Sequence, residues 1–206
     1  MNLVWKGIYK SVDQLPKGDL PERAVKFKEP DNLVQLNIIA SLFVIPVLIL
    51  IAIAVFLKFV IAGGEVTFTV FNLWGFLLAF LMILPHEMLH AMLFPKGKEV
   101  ELWVSPKAMA AFVVCTAPIS KGRFIFLSLL PNIVFGFIPL VVWIVLPVGG
   151  AIENILFSFA TLSLLFGVGD YLNVFNAARQ MPNGALTQLS GMNSYWFMPE
   201  EEQKAQ

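Results

Sequence analysis

Residues 68–94 read FTVFNLWGFLLAFLMILPHEMLHAMLF, an almost wholly apolar run that includes the motif Pro85-His86-Glu87-Met88-Leu89-His90. A helix of this length, at a rise of about 1.5 Å per residue, is longer than the roughly 30 Å hydrocarbon core of a bilayer. An unpaired charge inside that core costs about 3 kcal/mol or more. We therefore predict a membrane span whose polar residues are compensated by a specific partner.

Three further apolar runs have the length of membrane spans: about Leu33 to Ala62, about Phe124 to Val148 and about Ile152 to Ala178. Hydrophobic residues make up 58% of the chain and charged residues 14%, with a mean hydropathy of +0.77. An average soluble domain is about a quarter charged, so this excess of apolar side chains needs lipid to face. We predict an all-α membrane protein with about four transmembrane helices, with the lipid bilayer as its first partner.

The segment between the second and third spans has a different pattern. From Pro95 to about Lys121 charged and apolar residues alternate, which fits two short strands joined near Ser105-Pro106-Lys107. We predict a short β-hairpin-like loop, cytoplasmic or re-entrant, whose edge could pair with an extended peptide. The chain then divides into an N-terminal arm (residues 1–32), a four-span membrane domain with the metal site (33–178) and a C-terminal tail (179–206).

The distribution of charge predicts the orientation. The arm, the second loop and the tail carry basic residues, whereas the connectors near Gly63 and Gly149 carry acids only. Both termini are therefore expected in the cytoplasm, in a multi-pass protein of the cell (inner or plasma) membrane. A net charge of zero offers no field to attract nucleic acid, so no nucleic-acid partner is expected. The single cysteine, Cys115, excludes an intramolecular disulfide and a cysteine-based zinc cage.

The motif in the second span has the spacing of a metal site. His86 and His90 lie four residues apart, so both imidazoles point from one face of a helix and can share one metal ion. Glu87 lies beside them, where a general base would accept a proton from a metal-activated water. These are the only two histidines of the chain. The alternative is a structural polar cluster, in which the histidines bond neighbouring helices and Glu87 lies near the headgroups.

A catalytic zinc ion usually has three protein ligands. With no third histidine, the candidates are carboxylates, and Asp170 is the one acid well inside a remaining span. Asp170 and His86 each lie about nine residues, or roughly 13 Å, before the cytoplasmic end of their spans, so they are level in the bilayer. Gly167 and Gly169 would allow another helix to approach closely. The alternative for Asp170 is a hydrogen bond to a neighbouring hydroxyl or amide.

Asn132 is a third polar group at this depth, about ten residues into the third span. Its amide could bind the substrate backbone or stabilise the oxyanion that forms during hydrolysis. Asparagines also join membrane helices to one another, and the residues alone do not separate these two roles.

With His86-Glu87-x-x-His90, Gly169-Asp170-x-x-Asn173 and Met181-Pro182-Asn183-Gly184, the chain resembles a family of small bacterial membrane proteins described as putative zincin peptidases. Its general plan is similar to that of the site-2 protease class of intramembrane metalloproteases, in which an aspartate from a later span is the third ligand. The resemblance implies a Zn²⁺ ion held by His86, His90 and Asp170, with Glu87 as the base.

We therefore predict a zinc-dependent, membrane-embedded metalloprotease that hydrolyses peptide bonds in or near the membrane. Its substrate would be a membrane-associated polypeptide. Two other functions fit the same residues. One is a zinc-binding protein without proteolytic activity, such as a regulator or accessory subunit; the other is a small transporter component whose polar groups line a pathway.

Overall fold

The computed structural model describes residues 2–108 and 110–199, and within them the chain forms five helices and seven strands. The helices are α1 Leu33–Ile61, α2 Leu73–Met92, α3 Lys121–Val145, α4 Ala151–Phe166 and α5 Val168–Gln180. The strands are β1 Asn2–Ile8, β2 Val25–Lys26, β3 Glu99–Ser105, β4 Ala110–Val114, β5 Ile119–Ser120, β6 Leu186–Ser190 and β7 Asn193–Phe197.

The prediction of an all-α fold is wrong, because the chain also builds two β-sheets. The first sheet has the order β1-β3-β4, with β1 parallel to β3 and β3 antiparallel to β4. The second has the order β2-β7-β6-β5. The strands come from the arm, the loop and the tail, and most pair across long sequence separations. A pairing between distant strands cannot be recognised from a local sequence pattern, whereas an apolar helix can be recognised from the length of its hydrophobic run.

The apolar helices match the sequence-based expectation more closely. α1, α2 and α3 are long and apolar enough to cross a membrane, and α4 with α5 would make a fourth span if the two are counted as one. That pair is bent by 47° at Gly167, three residues before Asp170. The fourth apolar run is therefore a broken helix, with its polar second half turned toward α3.

Close helix contacts depend on small residues. A Cβ on Gly75 of α2 would lie 2.5 Å from the carbonyl oxygen of Ile155 in α4. A Cβ on Gly136 of α3 would lie 2.5 Å from Cδ2 of Leu164 in the same helix α4. Gly136 falls in a π-helical turn of α3, residues 133–137. The glycines thus let α2 and α3 approach α4 from both sides.

Polar caps fix the helix ends nearest the sheets. Asn32 caps α1 by accepting a hydrogen bond from the backbone N–H of Gln35 (2.9 Å). Lys121, in the first turn of α3, donates to the carbonyl oxygen of Met181 (2.6 Å) just beyond α5. Because this contact ties the start of α3 to the end of α5, it holds together the two helices that carry Asn132 and Asp170.

A buried ion pair joins the helices at the opposite end. Lys58 of α1 is fully buried, and its Nζ lies 2.9 Å from Oε1 of Glu153 in α4. The same ammonium donates to the carbonyl oxygens of Trp143 (2.8 Å) and Leu146 (2.9 Å) at the end of α3. The backbone N–H of Gly149 donates to Oε2 of Glu153 (2.6 Å). These hydrogen bonds offset the desolvation of both charges, which an isolated buried pair would not recover.

Candidate metal centre

The two histidines lie on one face of α2, as their spacing predicts. Their ring centroids are 4.8 Å apart and the rings are nearly perpendicular, at 77°. The backbone N–H of His86 donates to the carbonyl oxygen of Met82 (2.8 Å), so the helix continues past Pro85. Both side chains are largely shielded, with 18% of His86 and 7% of His90 exposed.

Asp170 reaches both histidines from α5. Its Oδ2 lies 3.1 Å from Nε2 of His86, and its Oδ1 lies 3.2 Å from Nε2 of His90. Ligand atoms about 2.0–2.1 Å from a tetrahedral zinc ion are about 3.3 Å apart. Each imidazole nitrogen therefore lies about as far from one carboxylate oxygen of Asp170 as two ligand atoms of the same Zn²⁺ ion would. The structure brings the three predicted ligands together from two helices.

The orientation of His90 is set by a backbone group. Its Nδ1 lies 2.8 Å from the carbonyl oxygen of Leu127 in α3, a contact in which only the ring nitrogen can donate. With the proton on Nδ1, the neutral imidazole presents the lone pair of Nε2 toward Asp170 and a shared cation. Such a partner behind a ligating histidine fixes its tautomer and ring angle. A carbonyl partner carries no sequence signal, and the sequence did not identify Leu127.

Glu87 lies beside the ligand set. The ligand atoms of His86, Glu87 and His90 all lie within 4.8 Å of one another, so these three residues also form a possible metal-binding group. The carboxylate oxygens of Asp170 lie 3.1 and 3.2 Å from the two imidazole nitrogens. Either carboxylate, that of Asp170 or that of Glu87, could therefore complete a set of three ligands with the two histidines. The Glu87 side chain is buried and hydrogen-bonded by the backbone N–H of Val113 in β4.

Asn132 lies behind Asp170 rather than in open space. Its side chain is buried, with 1% exposed, and Nδ2 donates to Oδ2 of Asp170 (2.7 Å). The same nitrogen contacts the carbonyl oxygen of Ser128 one turn earlier (3.3 Å). This bond joins α3 to α5, as expected of an asparagine that connects membrane helices, and it is also the hydrogen bond to a neighbouring amide that was the alternative for Asp170.

Two cavities meet at His86 and Glu87. The first, of about 410 Å³, includes the polar residues Asn37, Ser128, Asp170 and Asn173 in its lining. The second, of about 330 Å³, is lined mainly by apolar residues of α2, α3 and α4, namely Ala79, Phe80, Met82, Ile83, Phe135 and Phe166. Ala110 and Ala111 of β4 line both cavities. The edge of the first sheet thus runs beside the candidate metal centre, and β3 and β4 form the hairpin that the sequence predicted for this loop.

Comparison with known proteins agrees with this geometry. The model of a family described as "putative zincin peptidase" matches residues 78–186, which include the two histidines, Glu87, Asn132 and Asp170. No curated protein and no solved structure matches the chain. Zincins are zinc-dependent peptidases, so the family implies zinc as the metal of the site. The matched segment is more than half of the chain, and the protein therefore belongs to the family described as putative zincin peptidases.

Proposed function

We propose that the protein is a zinc-dependent metalloprotease embedded in a membrane, and that it cleaves a membrane-associated polypeptide. One observation carries the proposal: the two oxygens of Asp170 lie 3.1 and 3.2 Å from Nε2 of His86 and of His90. Two neutral imidazoles and one carboxylate are a ligand set of catalytic zinc sites that leave a fourth position open.

The outer surface of the helices supports the membrane embedding. Exposed side chains on α1 and α2 are mostly large and apolar, and they recur at helical spacing; they include Val34, Ile38, Leu42, Ile45, Leu77, Leu81, Leu84 and Met88. A continuous apolar surface along several helices is larger than the patches that soluble monomers expose, so lipid is the solvent that fits it. The basic residues of the arm, loop and tail favour a cytoplasmic side for both termini.

The reaction divides between the metal and Glu87. When bound, zinc would polarise the peptide carbonyl and lower the pKa of a coordinated water to about 7. The Glu87 carboxylate would accept the proton of the attacking water and deliver it to the leaving amine. Its burial keeps bulk water from this carboxylate, and the N–H of Val113 holds it in place.

The free edge of β4 supports substrate binding by addition of a peptide strand to the first sheet. β4 is the last strand of its sheet among the described residues, and the N–H of Val113 is directed to Glu87 rather than to β3. Backbone groups alternate sides along an antiparallel strand, so those of Ala111 also point away from β3. An extended peptide that paired with Ala111 would pass Glu87 and place side chains in the two cavities.

The proposal is tested with purified protein in detergent micelles. The wild type should hold one zinc ion and cleave members of a membrane-peptide library, as detected by mass spectrometry. Glu87→Gln should keep the zinc and lose about 100-fold or more of the cleavage rate, because only the base is removed. Zinc binding with no cleavage that depends on Glu87 would favour the non-proteolytic alternative. No zinc in the wild type would contradict the proposal.

A further inference from the structure

We propose that Asn132 and Gly167 act together to position the Asp170 carboxylate, which makes Asn132 a positioning residue of the metal centre. The inference rests on the proposed function, because it takes Asp170 as a metal ligand. It assigns to Asn132 a role toward the metal centre rather than toward the substrate.

The hydrogen bond from Asn132 is directed at the oxygen that also contacts His86. Nδ2 of Asn132 lies 2.7 Å from Oδ2 of Asp170, which itself lies 3.1 Å from Nε2 of His86. The amide nitrogen must face Asp170, since the reverse orientation would oppose a carbonyl oxygen to a carboxylate. When the imidazole lone pairs bind a cation, the two histidines no longer donate to Asp170. Asn132 then remains as the donor that fixes the angle of the carboxylate.

Gly167 makes the space that this amide occupies. A Cβ at residue 167 would lie 1.6 Å from Oδ1 of Asn132 and 2.5 Å from its Cγ, distances that no side chain can tolerate. The backbone of Gly167 has φ −78°, which any residue can adopt, so the requirement for glycine is one of space alone. The bend between α4 and α5 at this glycine brings Asp170 within reach of Asn132.

Asn132 is buried and closely packed against Gly167. Its Oδ1 is buried and has no hydrogen-bond partner within residues 2–108 and 110–199. The amide is therefore held by the hydrogen bond that Nδ2 donates to Asp170 and by its contact with Gly167. One turn later, Gly136 packs against Leu164, which fixes the approach of α3 to α4 at the same level. Displacement of Asn132 by a methyl group at residue 167 would therefore break its bond to Asp170.

Gly169 provides a matched control. It lies two residues after Gly167, in the first turn of α5, but a Cβ there would meet nothing within 4 Å. Gly167→Ala and Gly169→Ala add the same methyl group two residues apart, although only Gly169 lies inside a helix, where alanine also raises helix propensity. Only the first of the two substitutions would collide with Asn132.

Zinc affinity, measured by competition with a chelating dye, tests the inference. Asn132→Ala and Gly167→Ala should each weaken zinc binding about 10- to 100-fold, the usual effect of losing a partner behind a ligand. Gly169→Ala should bind zinc as the wild type does. The double variant Asn132→Ala/Gly167→Ala should be no weaker than Asn132→Ala alone, because both changes remove the same hydrogen bond.

A spectroscopic readout separates positioning from a general loss of stability. With cobalt(II) in place of zinc, the visible absorption bands should shift in Asn132→Ala and Gly167→Ala and stay unchanged in Gly169→Ala. Zinc affinity and cobalt spectra equal to those of the wild type in Asn132→Ala would overturn this inference alone. Absence of zinc binding in the wild type would overturn it together with the proposed function. If Gly167→Ala fails to fold, Asn132→Ala still decides the outcome.

Discussion

Oδ1 of Asp170 lies 3.2 Å from Nε2 of His90, although α5 and α2 are separated in the chain by three strands and two other helices. Asp170 is part of the short polar helix that begins at the bend after α4. Its contact with His90 is therefore a product of the tertiary fold rather than of local sequence. The candidate metal centre exists because this bend directs the carboxylate of Asp170 toward the face of α2 that carries His86 and His90.

Substitution of Ala111 by proline tests the proposed substrate edge. Proline removes the N–H that points away from β3, and edge strands tolerate it, so the sheet and the zinc content should be retained. Cleavage of a membrane peptide should fall mainly through a higher KM. Ala111→Val keeps the N–H and is the control for added bulk. Equal KM values for Ala111→Pro and Ala111→Val would argue against pairing at this edge.

The buried pair of Lys58 and Glu153 should be important for stability. Lys58→Met leaves Glu153 buried without its cation, which should lower the free energy of unfolding by about 3–5 kcal/mol. The double variant Lys58→Met/Glu153→Leu should recover most of that loss, because no charge then remains buried. Denaturant titration in micelles measures both.

The surface pair of Lys26 and Asp31 offers a control for this prediction. Both side chains are well exposed, at 40% and 76%, so Lys26→Met should cost far less than Lys58→Met. An equal loss of stability in the two lysine variants would contradict a special role for the buried pair.

Glu29 should make stability depend on pH. Burial raises the pKa of its carboxyl to about 7, against the opposing effect of the hydrogen bond from the N–H of Ser194 (2.6 Å). Because the pKa of Glu29 is raised in the folded state, its protonated carboxyl contributes its full share to the free energy of unfolding below about pH 4.5. It is lost as the pH rises through about 7, by on the order of 3 kcal/mol. The midpoint of thermal unfolding should therefore fall over this range in the wild type.

Glu29→Gln should remove this dependence of the unfolding midpoint on pH, since the amide mimics the protonated carboxyl at every pH. The measurement is the difference in unfolding midpoint between wild type and variant from pH 4.5 to pH 8. A constant difference across the range would contradict the role given to Glu29.

Local sequence patterns predicted part of this structure, and the rest depends on tertiary contacts that such patterns do not contain. The spacing of His86 and His90 placed both rings on one helix face, and the level of Asp170 in its apolar run pointed to it as a partner. The carbonyl of Leu127 and the contact of Gly167 with Asn132 depend on how helices meet, so single-sequence patterns do not reveal them. The hairpin of β3 and β4 is local and was predicted, whereas the pairing of β1 with β3 across two long helices was missed for the same reason.

X-ray absorption at the zinc edge tests the central claim most directly, because it reports the ligands of the bound ion without any substrate. For the wild type we predict one tightly bound zinc with only nitrogen and oxygen ligands, two of them imidazoles. Asp170→Ala should bind zinc far more weakly and lose one oxygen ligand from the spectrum. A zinc shell that is unchanged by Asp170→Ala, or one that contains fewer than two imidazoles, would contradict a centre formed by His86, His90 and Asp170.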